Sequence, residues 1–501
     1  MKKIFLALLY VCVFYTSGLA NTPLTFDPEL GKLPILSEGR TKPLLVHARA
    51  TMRTILGKRD RQALQDYVAL STGGSAEALS YSIHNVALQK RLQLKQLRLD
   101  VASEGRESIV AVYQQLQSKG QDKGAEGRAI ADLVAAIDSY QTVKAGEDWL
   151  LPVHHDGKLD WAPIAQVLEV GHFSAAKDII GFVASQPETQ ASQSKILLEY
   201  YYEVSGVHFL NFFIAIISLG LFFVLVMNPK SSIRPLAWSS LGLVLLLHIG
   251  EIIVRVLISG RGPVTNMFET VMWVGLGVMV FSLLLYKVNK NLLYVPAGLT
   301  VFALTSMMAN FGTHMVNADI HPLVPVLRNN FWLSTHVTCV TISYAAFALS
   351  WIIANIAIVS YLINGKDDVF PEAARMSYEA NKIGLVLIVT GVILGGIWAD
   401  YSWGRFWGWD PKETWSLIVT ITYSIILHAR YMGYMKPNAF VAAQAGAFLT
   451  VMMAWFGVNY ILATGLHSYG FSQNGAIFLF TFFAVQLGIL GVFGWRTRKG
   501  A

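Results

Sequence analysis

Cysteine is nearly absent. The 501 residues include 2, Cys12 and Cys339. Both fall in apolar runs, so neither a disulfide framework nor a thiol–metal site can be assembled from them. Cys-x-x-Cys-His does not occur, which excludes self-attachment of haem in the manner of a c-type cytochrome. Charge is scarce too. Only 14% of residues are charged and 54% are hydrophobic, whereas a soluble domain carries about 25% charged residues. Mean hydropathy is positive. This is the composition of a membrane protein. Aromatic–basic strips with stacking spacing are lacking, so the net charge of +7 is no signal for nucleic acid. Lysines and arginines in cytoplasmic loops account for much of it.

Residues 1–20 read as a signal peptide: Lys2 and Lys3, an apolar core from Ile4 to Tyr15, then small Gly18 and Ala20 ahead of a cleavage site. An uncleaved anchor would equally send the following segment out of the cytoplasm. Residues 21–200 are polar and of mixed charge, and read as a mostly helical extracytoplasmic domain. Leucines recur at three- and four-residue spacing over Leu79–Val101, and Ala125–Val143 has a similar pattern. Gly73-Gly74, the Gly120–Gly124 stretch and Pro152 read as loops.

Residues 201–501 form the membrane domain. The fold class expected is an α-helical polytopic membrane protein with about nine transmembrane helices. The runs lie near 205–227, 236–258, 265–286, 292–311, 335–363, 380–400, 414–433, 438–464 and 475–495, each near the roughly 20 residues that a bilayer requires. With residues 21–200 outside, the inner loops hold Lys230, Arg234, Lys287, Lys290, Lys366, Arg375 and Lys436, and the tail holds Arg496, Arg498 and Lys499. The outer loops hold fewer: Arg261, Arg328, Arg405 and Lys412. This asymmetry fits the positive-inside rule. It places His336, the segment 403–415 and His467 on one outer face.

The segment 403–415 reads Trp-Gly-Arg-Phe-Trp-Gly-Trp-Asp-Pro-Lys-Glu-Thr-Trp. Four tryptophans and a phenylalanine are packed among charges, in a short break between two apolar runs. Such density suits a platform for a flat apolar ligand, and flanking histidines suggest haem. Binding a porphyrin takes apolar faces, cations for two propionates and one or two axial nitrogens. His336 and His467 are candidates for the axial pair, Trp403, Trp407 and Trp409 for the surface, and Arg405 or Lys412 for the propionates. The blander alternatives are an interfacial aromatic belt and interfacial histidines. Asp410 reads as the cap of the next helix, with Pro411 at its first position and Glu413 in its first turn. His428, followed by Arg430, is a candidate for a second, deeper haem site. His248, Glu251 and Arg255 share one helical face, where a self-satisfied polar cluster is as good an account as ligation. His314 and His321 read as loop residues.

The run Trp403–Trp415 resembles the WWD signature of haem-handling proteins in cytochrome c biogenesis, in the form of the CcsA (ResC) branch of the System II synthase. The CcmC and CcmF branches differ after the Asp. Ser259–Glu269 and the segment from Asn459 through His467 are similar to the same family, and Glu38–Pro43 more weakly. The likeness spans roughly residues 205–495. It implies that His336 and His467 are the external haem ligands and that His428 serves a membrane haem site. It implies a CcsB-type membrane subunit as partner, with haem, apocytochrome c and membrane lipid as the other partners. The cargo implied is ferrous haem b, delivered across or at the outer face of a bacterial inner membrane. The activity implied is that of a cytochrome c haem-lyase, or holocytochrome c synthase, joining haem vinyls to the cysteines of Cys-x-x-Cys-His. No residue reads as a conventional nucleophile or general base; the reactive thiols belong to the substrate.

Three other functions compete. A haem exporter without a catalytic role fits the same histidines. A general solute transporter is disfavoured, because no inverted repeat and few broken spans are evident. A respiratory b-type cytochrome would place its histidine pairs within spans.

Overall fold

A computed structural model describes residues 26–499, apart from 75–78, 123, 156–157, 172, 174, 313–315, 324–328 and 463–474. The expected signal peptide with Cys12, and also His314, Arg328 and His467, lie outside the described residues. The chain divides into two units, Met1–Glu203 and Val204–Ala501.

We number the helices of the second unit α1 to α9. They are α1 (Val207–Met227), α2 (Arg234–Ser259), α3 (Met267–Asn289), α4 (Tyr294–Phe311), α5 (Thr338–Asn364), α6 (Val369–Trp403), α7 (Pro411–Tyr431), α8 (Pro437–Met452) and α9 (Gly475–Lys499). A π-helical turn, Leu333–Val337, leads into α5, and a second π segment, Met453–Leu462, continues α8. Eight of the helices are long and apolar enough to cross a membrane. The remaining one, α7, matches the seventh expected run but carries Lys412, Glu413, His428, Arg430 and several hydroxyl residues. It draws its support from neighbours instead: Tyr423 is fully buried and stacks on Phe347 of α5, ring centroids 3.8 Å apart.

The pairing of α5 with α6 organises this unit. Small residues let their backbones approach, as is usual between membrane helices. A Cβ on Gly384 would lie 2.5 Å from the Phe347 ring, and one on Gly391 would lie 2.7 Å from Val340 Cγ2. Reciprocal bonds cross the seam: Ser350 Oγ donates to Ser377 O at 3.2 Å, and Ser377 Oγ to Ser350 O at 3.3 Å. Further along α5, Trp351 Nε1 donates to Gln486 Oε1 of α9 at 2.8 Å, and Gln486 Nε2 to Asn355 Oδ1 at 3.1 Å. Away from water a polar group without a partner is costly, so such bonds favour one arrangement of the helices.

The first unit is mostly helical but also holds two antiparallel sheets. One contains β1 (Pro34–Ser37), β2 (Arg40–Pro43), β5 (Leu150–His155) and β6 (Lys158–Pro163) in the order β2-β1-β5-β6; β3 (Ser80–Ser82) pairs with β4 (Gln96–Arg98) in the other. The helix expected from Leu79–Val101 is therefore broken, with only Val86–Leu92 and the start of Leu99–Glu104 helical. Leucine spacing alone did not reveal the interruption. The expected helix over 125–143 is present as Ala125–Lys144. Pro152 lies in β5, opposite Trp161, rather than in a loop. Its missing N–H is tolerated there because the registered pairing of β1 with β5 is at Leu36–Leu150, before Pro152 is reached.

Around these sheets, Asp148 Oδ2 lies 2.7 Å from buried His47 Nε2 and accepts from the Tyr67 hydroxyl at 2.9 Å. Burial pushes the Asp148 carboxyl up, but the hydrogen bond and charge of His47 and the Tyr67 hydroxyl outweigh it and hold the group below the usual carboxylate value. The folded carboxyl thus titrates below the unfolded one. Its contribution is full above about pH 3.9 and is lost as pH falls through the folded value. Asp148→Asn should destabilise this unit near neutral pH by about 1–3 kcal/mol. Hydrogen exchange in the full chain, read over Leu44–Leu56 and Ala63–Ser71, should accelerate roughly tenfold or more, with the difference from wild type closing in acid. Equal exchange at neutral pH would remove Asp148 from the account of this core.

Candidate functional site

The tryptophan-rich segment is a fastened loop between α6 and α7. Gly404, at φ +67°, ends α6 and donates its N–H to Asp400 O at 2.8 Å. At the other end Asp410 caps α7: its Oδ1 accepts from Lys412 N at 3.0 Å, and Glu413 Oε2 accepts from Asp410 N at 3.1 Å. This is a complete capping box, with Pro411 in the first turn where no N–H is needed. The same Glu413 oxygen accepts from Gly408 N at 2.7 Å. Its other oxygen lies 3.6 Å from Arg405 Nη1, and that guanidinium sits over the Trp403 ring, 6.0 Å from its centroid. A side chain on Gly408 would collide with the Arg405 guanidinium. Trp409 follows at φ +58°, a left-handed conformation unusual for a bulky residue.

The loop forms one wall of a cleft that encloses about 1220 Å³ of atom-free space, counting its open mouth. Trp403 ends α6, Phe406 and Trp407 come from the loop, and Lys412 and Glu413 come from the start of α7. His336, Trp398 and Trp455 face them, and Thr265, Asn266, Met267, Thr270 and Asn459 are among the other lining residues. The surface is mostly aromatic and aliphatic, with few polar groups and a cation at Lys412.

His336 lies in the π-helical turn before α5. Such turns are frequent at functional sites, because the extra residue re-aims a side chain. Its Nδ1 is 2.7 Å from Gly391 O. A carbonyl can only accept, so Nδ1 carries the proton and Nε2 is the nitrogen with a lone pair in the neutral ring. A carbonyl on the far nitrogen is also what orients metal-ligating histidines. The seat is made by glycine: a Cβ on Gly395 would lie 2.5 Å from His336 Cε1, and one on Gly396 would run into the Phe406 ring. Trp398, 5.8 Å away between centroids, meets His336 edge-on.

The opposite wall is the start of α3 against the second π segment. Asn266 caps α3 by accepting from Glu269 N at 2.8 Å. Glu269 Oε2 accepts from Thr265 N at 2.7 Å, and its Oε1 from Arg255 Nε of α2 at 2.8 Å. Trp455 Nε1 donates to Thr270 Oγ1 at 3.1 Å, and Asn459 Nδ2 approaches Met267 Sδ at 3.1 Å.

The structure brings together four of the expected site residues: His336, Trp403, Trp407 and Lys412. Trp409 is exposed and stands edge-on to Trp407 at 6.0 Å rather than lining the cleft. Asp410 is buried as the cap and is not part of the lining. Lys412 is the cation on the cleft wall, whereas Arg405 is held by Glu413. His428 is exposed, 18 residues along α7 from Asp410, or about 27 Å at 1.5 Å per residue. It therefore belongs to a different place. Its Nδ1 bonds Ser424 O at 2.7 Å. His467 is outside the described residues; the π segment that ends five residues before it, at Leu462, supplies Trp455 and Asn459. His248, Glu251 and Arg255 do share one buried face, and His248 Nδ1 lies 3.6 Å from Glu251 Oε2 within α2, but other helices add partners: Arg255 pairs with Glu269, and Glu251 lies 3.3 Å from His208 Nδ1. Sequence reasoning missed Trp398, Trp455, Thr270 and His208. Only the likeness of 259–269 pointed toward the α3 wall.

Glu413→Ala removes one capping acceptor and two further loop ties. The N-cap at Asp410, which Glu413 completes, is alone worth about 0.5–2 kcal/mol. Trypsin cleavage after Arg405 in the intact protein is expected to become faster by roughly tenfold, and Asp410→Ala should act in the same direction. Unchanged cleavage in both variants would show that the box does not hold the loop.

Comparison with known proteins bears on this site. Residues 264–467, which contain the cleft walls and loop, match the family described as Cytochrome C assembly protein. The chain is 33% identical over 278 residues to protein NrfI of Wolinella succinogenes, covering 52% of this chain but only 29% of that protein. It is 34% identical over 264 residues to the cytochrome c biogenesis protein CcsA of Chlamydomonas reinhardtii, covering 49% of this chain and 71% of that one. With CcsA of Prochlorococcus marinus strain MED4 it shares 31% identity over 304 residues, 54% of this chain and 94% of that one. By these matches, and by a membrane unit whose cleft falls inside them, the chain belongs to the CcsA-type family of cytochrome c biogenesis proteins.

Proposed function

We propose that this chain is the haem-handling subunit of a System II cytochrome c synthase, which receives haem b and holds it at the outer face of a bacterial cytoplasmic membrane for attachment to apocytochrome c. The observation that carries the reading is the cleft itself: an aromatic slot with His336 seated at its wall, its Nδ1 proton committed to Gly391 O. A porphyrin brings its own iron and apolar faces, and the slot offers rings for the faces, Nε2 of His336 for the iron and Lys412 for a propionate. His467 would be the second axial ligand, as the family resemblance implies.

Attachment in this scheme is an addition. Each cysteine S–H of Cys-x-x-Cys-His adds across a haem vinyl group: sulfur bonds to the carbon nearest the ring, the proton goes to the terminal carbon, and nothing is released. The chain's task is positioning, which can supply a large part of such a barrier. Trp403, Phe406 and Trp407 hold the ring plane, and Trp409, exposed on its left-handed backbone, is placed to meet the incoming peptide. The substrate's histidine would displace one axial nitrogen and so weaken the hold on product.

His428 belongs to a second station. It is an exposed imidazole in the last turn of α7, two residues before Arg430, and ionisable groups on a membrane helix usually mark a functional site. With Nδ1 bonded to Ser424 O, the ring leaves Nε2 to serve haem against a separate CcsB-type membrane subunit. The orientation this requires, with residues 21–200 and the loop outside and residues 1–20 as signal peptide, is the one supported by the asymmetry of lysine and arginine among the loops.

Absorption spectra of the purified protein, co-expressed with a CcsB-type subunit, test this. Wild type should carry a reduced, low-spin haem b. His336→Ala should lose it or convert it to a high-spin form. Gly395→Ala, which presses a methyl on the imidazole, should cut haem retention by roughly tenfold, as changes that disturb a metal ligand's orientation do. An unchanged spectrum in both variants would refute the cleft as the haem site. Bound haem without thioether formation on an added apocytochrome peptide would favour export alone.

A further inference from the structure

Apart from the cleft, the membrane unit contains a small polar cavity between α1, α2, α3 and α4. His208, Asn211, His248, Glu251, Met272 and Asn310 are among its lining residues, and its atom-free space, about 260 Å³, is near a fifth of that of the cleft. It is too small for a porphyrin. Among the described residues no group of three or more His, Cys, Asp or Glu is arranged to hold a metal ion. The smallest ligand, a proton, remains.

The hydrogen-bond geometry calls for one. His248 Nε2 is 2.9 Å from Met272 O, which can only accept, so Nε2 carries a proton. In a neutral ring Nδ1 would then be a bare lone pair. That atom faces Glu251 Oε2 at 3.6 Å. An ionised carboxylate is also acceptor-only, so the two would oppose each other in a site where Glu251 and His248 are each 4% exposed. One additional proton, on Nδ1 or on Oε2, turns this opposition into attraction. His208 Nδ1 approaches the same oxygen at 3.3 Å. The other oxygen of Glu251, and Asn211 Oδ1, are buried and have no hydrogen-bond partner among the described residues. Both residues line the cavity, so it presents unpaired acceptors, which suit water or a proton and not an anion.

The other charged groups packed nearby do not supply the missing charge. Arg255, one turn further along α2, is committed to Glu269 of α3 at 2.8 Å and to Ala318 O at 2.7 Å. From α4 the lining groups are Thr305, Ser306, Ala309 and Asn310, none of which titrates. Asn310 donates to His208 O at 3.1 Å.

We propose that His208, Glu251 and His248 form a proton-binding site within the membrane unit, which holds one proton between His248 Nδ1 and Glu251 Oε2 and binds water at Glu251 Oε1 and Asn211 Oδ1. The proposal is independent of the haem reading. Its position gives it a connection to the cleft: Met272, whose carbonyl receives His248, lies two residues after Thr270, which lines the cleft wall.

The test uses the full chain in lipid nanodiscs without haem, with 15N-labelled histidine and 13C-labelled glutamate carboxyls, followed by solid-state NMR from about pH 6 to about pH 8. Signals are assigned in wild type by sequential backbone-to-side-chain correlations, and their loss in His248→Gln, His208→Gln and Glu251→Gln checks the assignment. The expected result across this range is either a doubly protonated His248 ring, which becomes neutral in Glu251→Gln, or a protonated Glu251 carboxyl beside a neutral His248. A wild-type spectrum with a neutral His248 beside an ionised Glu251 overturns the proposal. Wild type alone decides this, so a variant that fails to fold does not leave the question open.

Discussion

The arrangement of the cleft depends on one carboxylate. Glu413 collects two backbone N–H groups and lies near the Arg405 guanidinium, and with Asp410 it closes the capping box of α7. A loop of seven residues, with Trp407 at its centre, Trp409 near its end and Trp403 just before it, would otherwise have little reason to hold one shape. Rings are heavy apolar loads on a flexible backbone, and their burial in the loop itself is incomplete. The box converts the start of α7 into an anchor. The position of Trp403 and Trp407 in the cleft then follows from the ends of α6 and α7.

The second constraint is close approach. Gly384, Gly391, Gly395 and Gly396 lie along α6, and each is where a neighbouring group presses in: Phe347, Val340, His336 and Phe406 in turn. Packed interiors are as dense as molecular crystals, so a ring can be seated to within tenths of an ångström only by leaving out a side chain opposite it. The same glycine face that lets α5 and α6 pair also makes the socket for the His336 imidazole. Fold and site share one surface, which explains why the cleft sits at the end of this helix pair.

The third feature is the handling of polar groups in an apolar unit. Several couple one helix to another: Ser350 with Ser377, Trp351 with Gln486, Trp455 with Thr270, Arg255 with Glu269. Each bond is individually modest, yet breaking one leaves an orphan that costs more than the bond contributed. Helices that would slide if joined only by apolar contact are thereby fixed in rotation and register. The α3 wall of the cleft is held in this way from both sides, by Arg255 through Glu269 and by Trp455 through Thr270.

Much of this protein was legible in its sequence, for local reasons. Apolar length determined the helices of the membrane unit, and the expected limits differ from the observed ones by a few residues, except at the start of α6. There the helix continues through polar residues, such as Glu372 and Arg375, that hydropathy does not read as a span. The cap at Asp410 was legible because capping is decided by neighbours in sequence. Sequence alone also marked His336 and the tryptophan segment as candidates. Tertiary structure decided which tryptophans line the cleft, because that follows from backbone torsions such as the left-handed one at Trp409. It decided that Trp398, Trp455 and Thr270 join the wall and that His428 stands apart, because helix rotation and crossing depend on packing between segments far apart in the chain. It also decided the partners of Glu251 and Arg255. A helical pattern can place charges on one face, but only the neighbouring helix determines which charge each one meets.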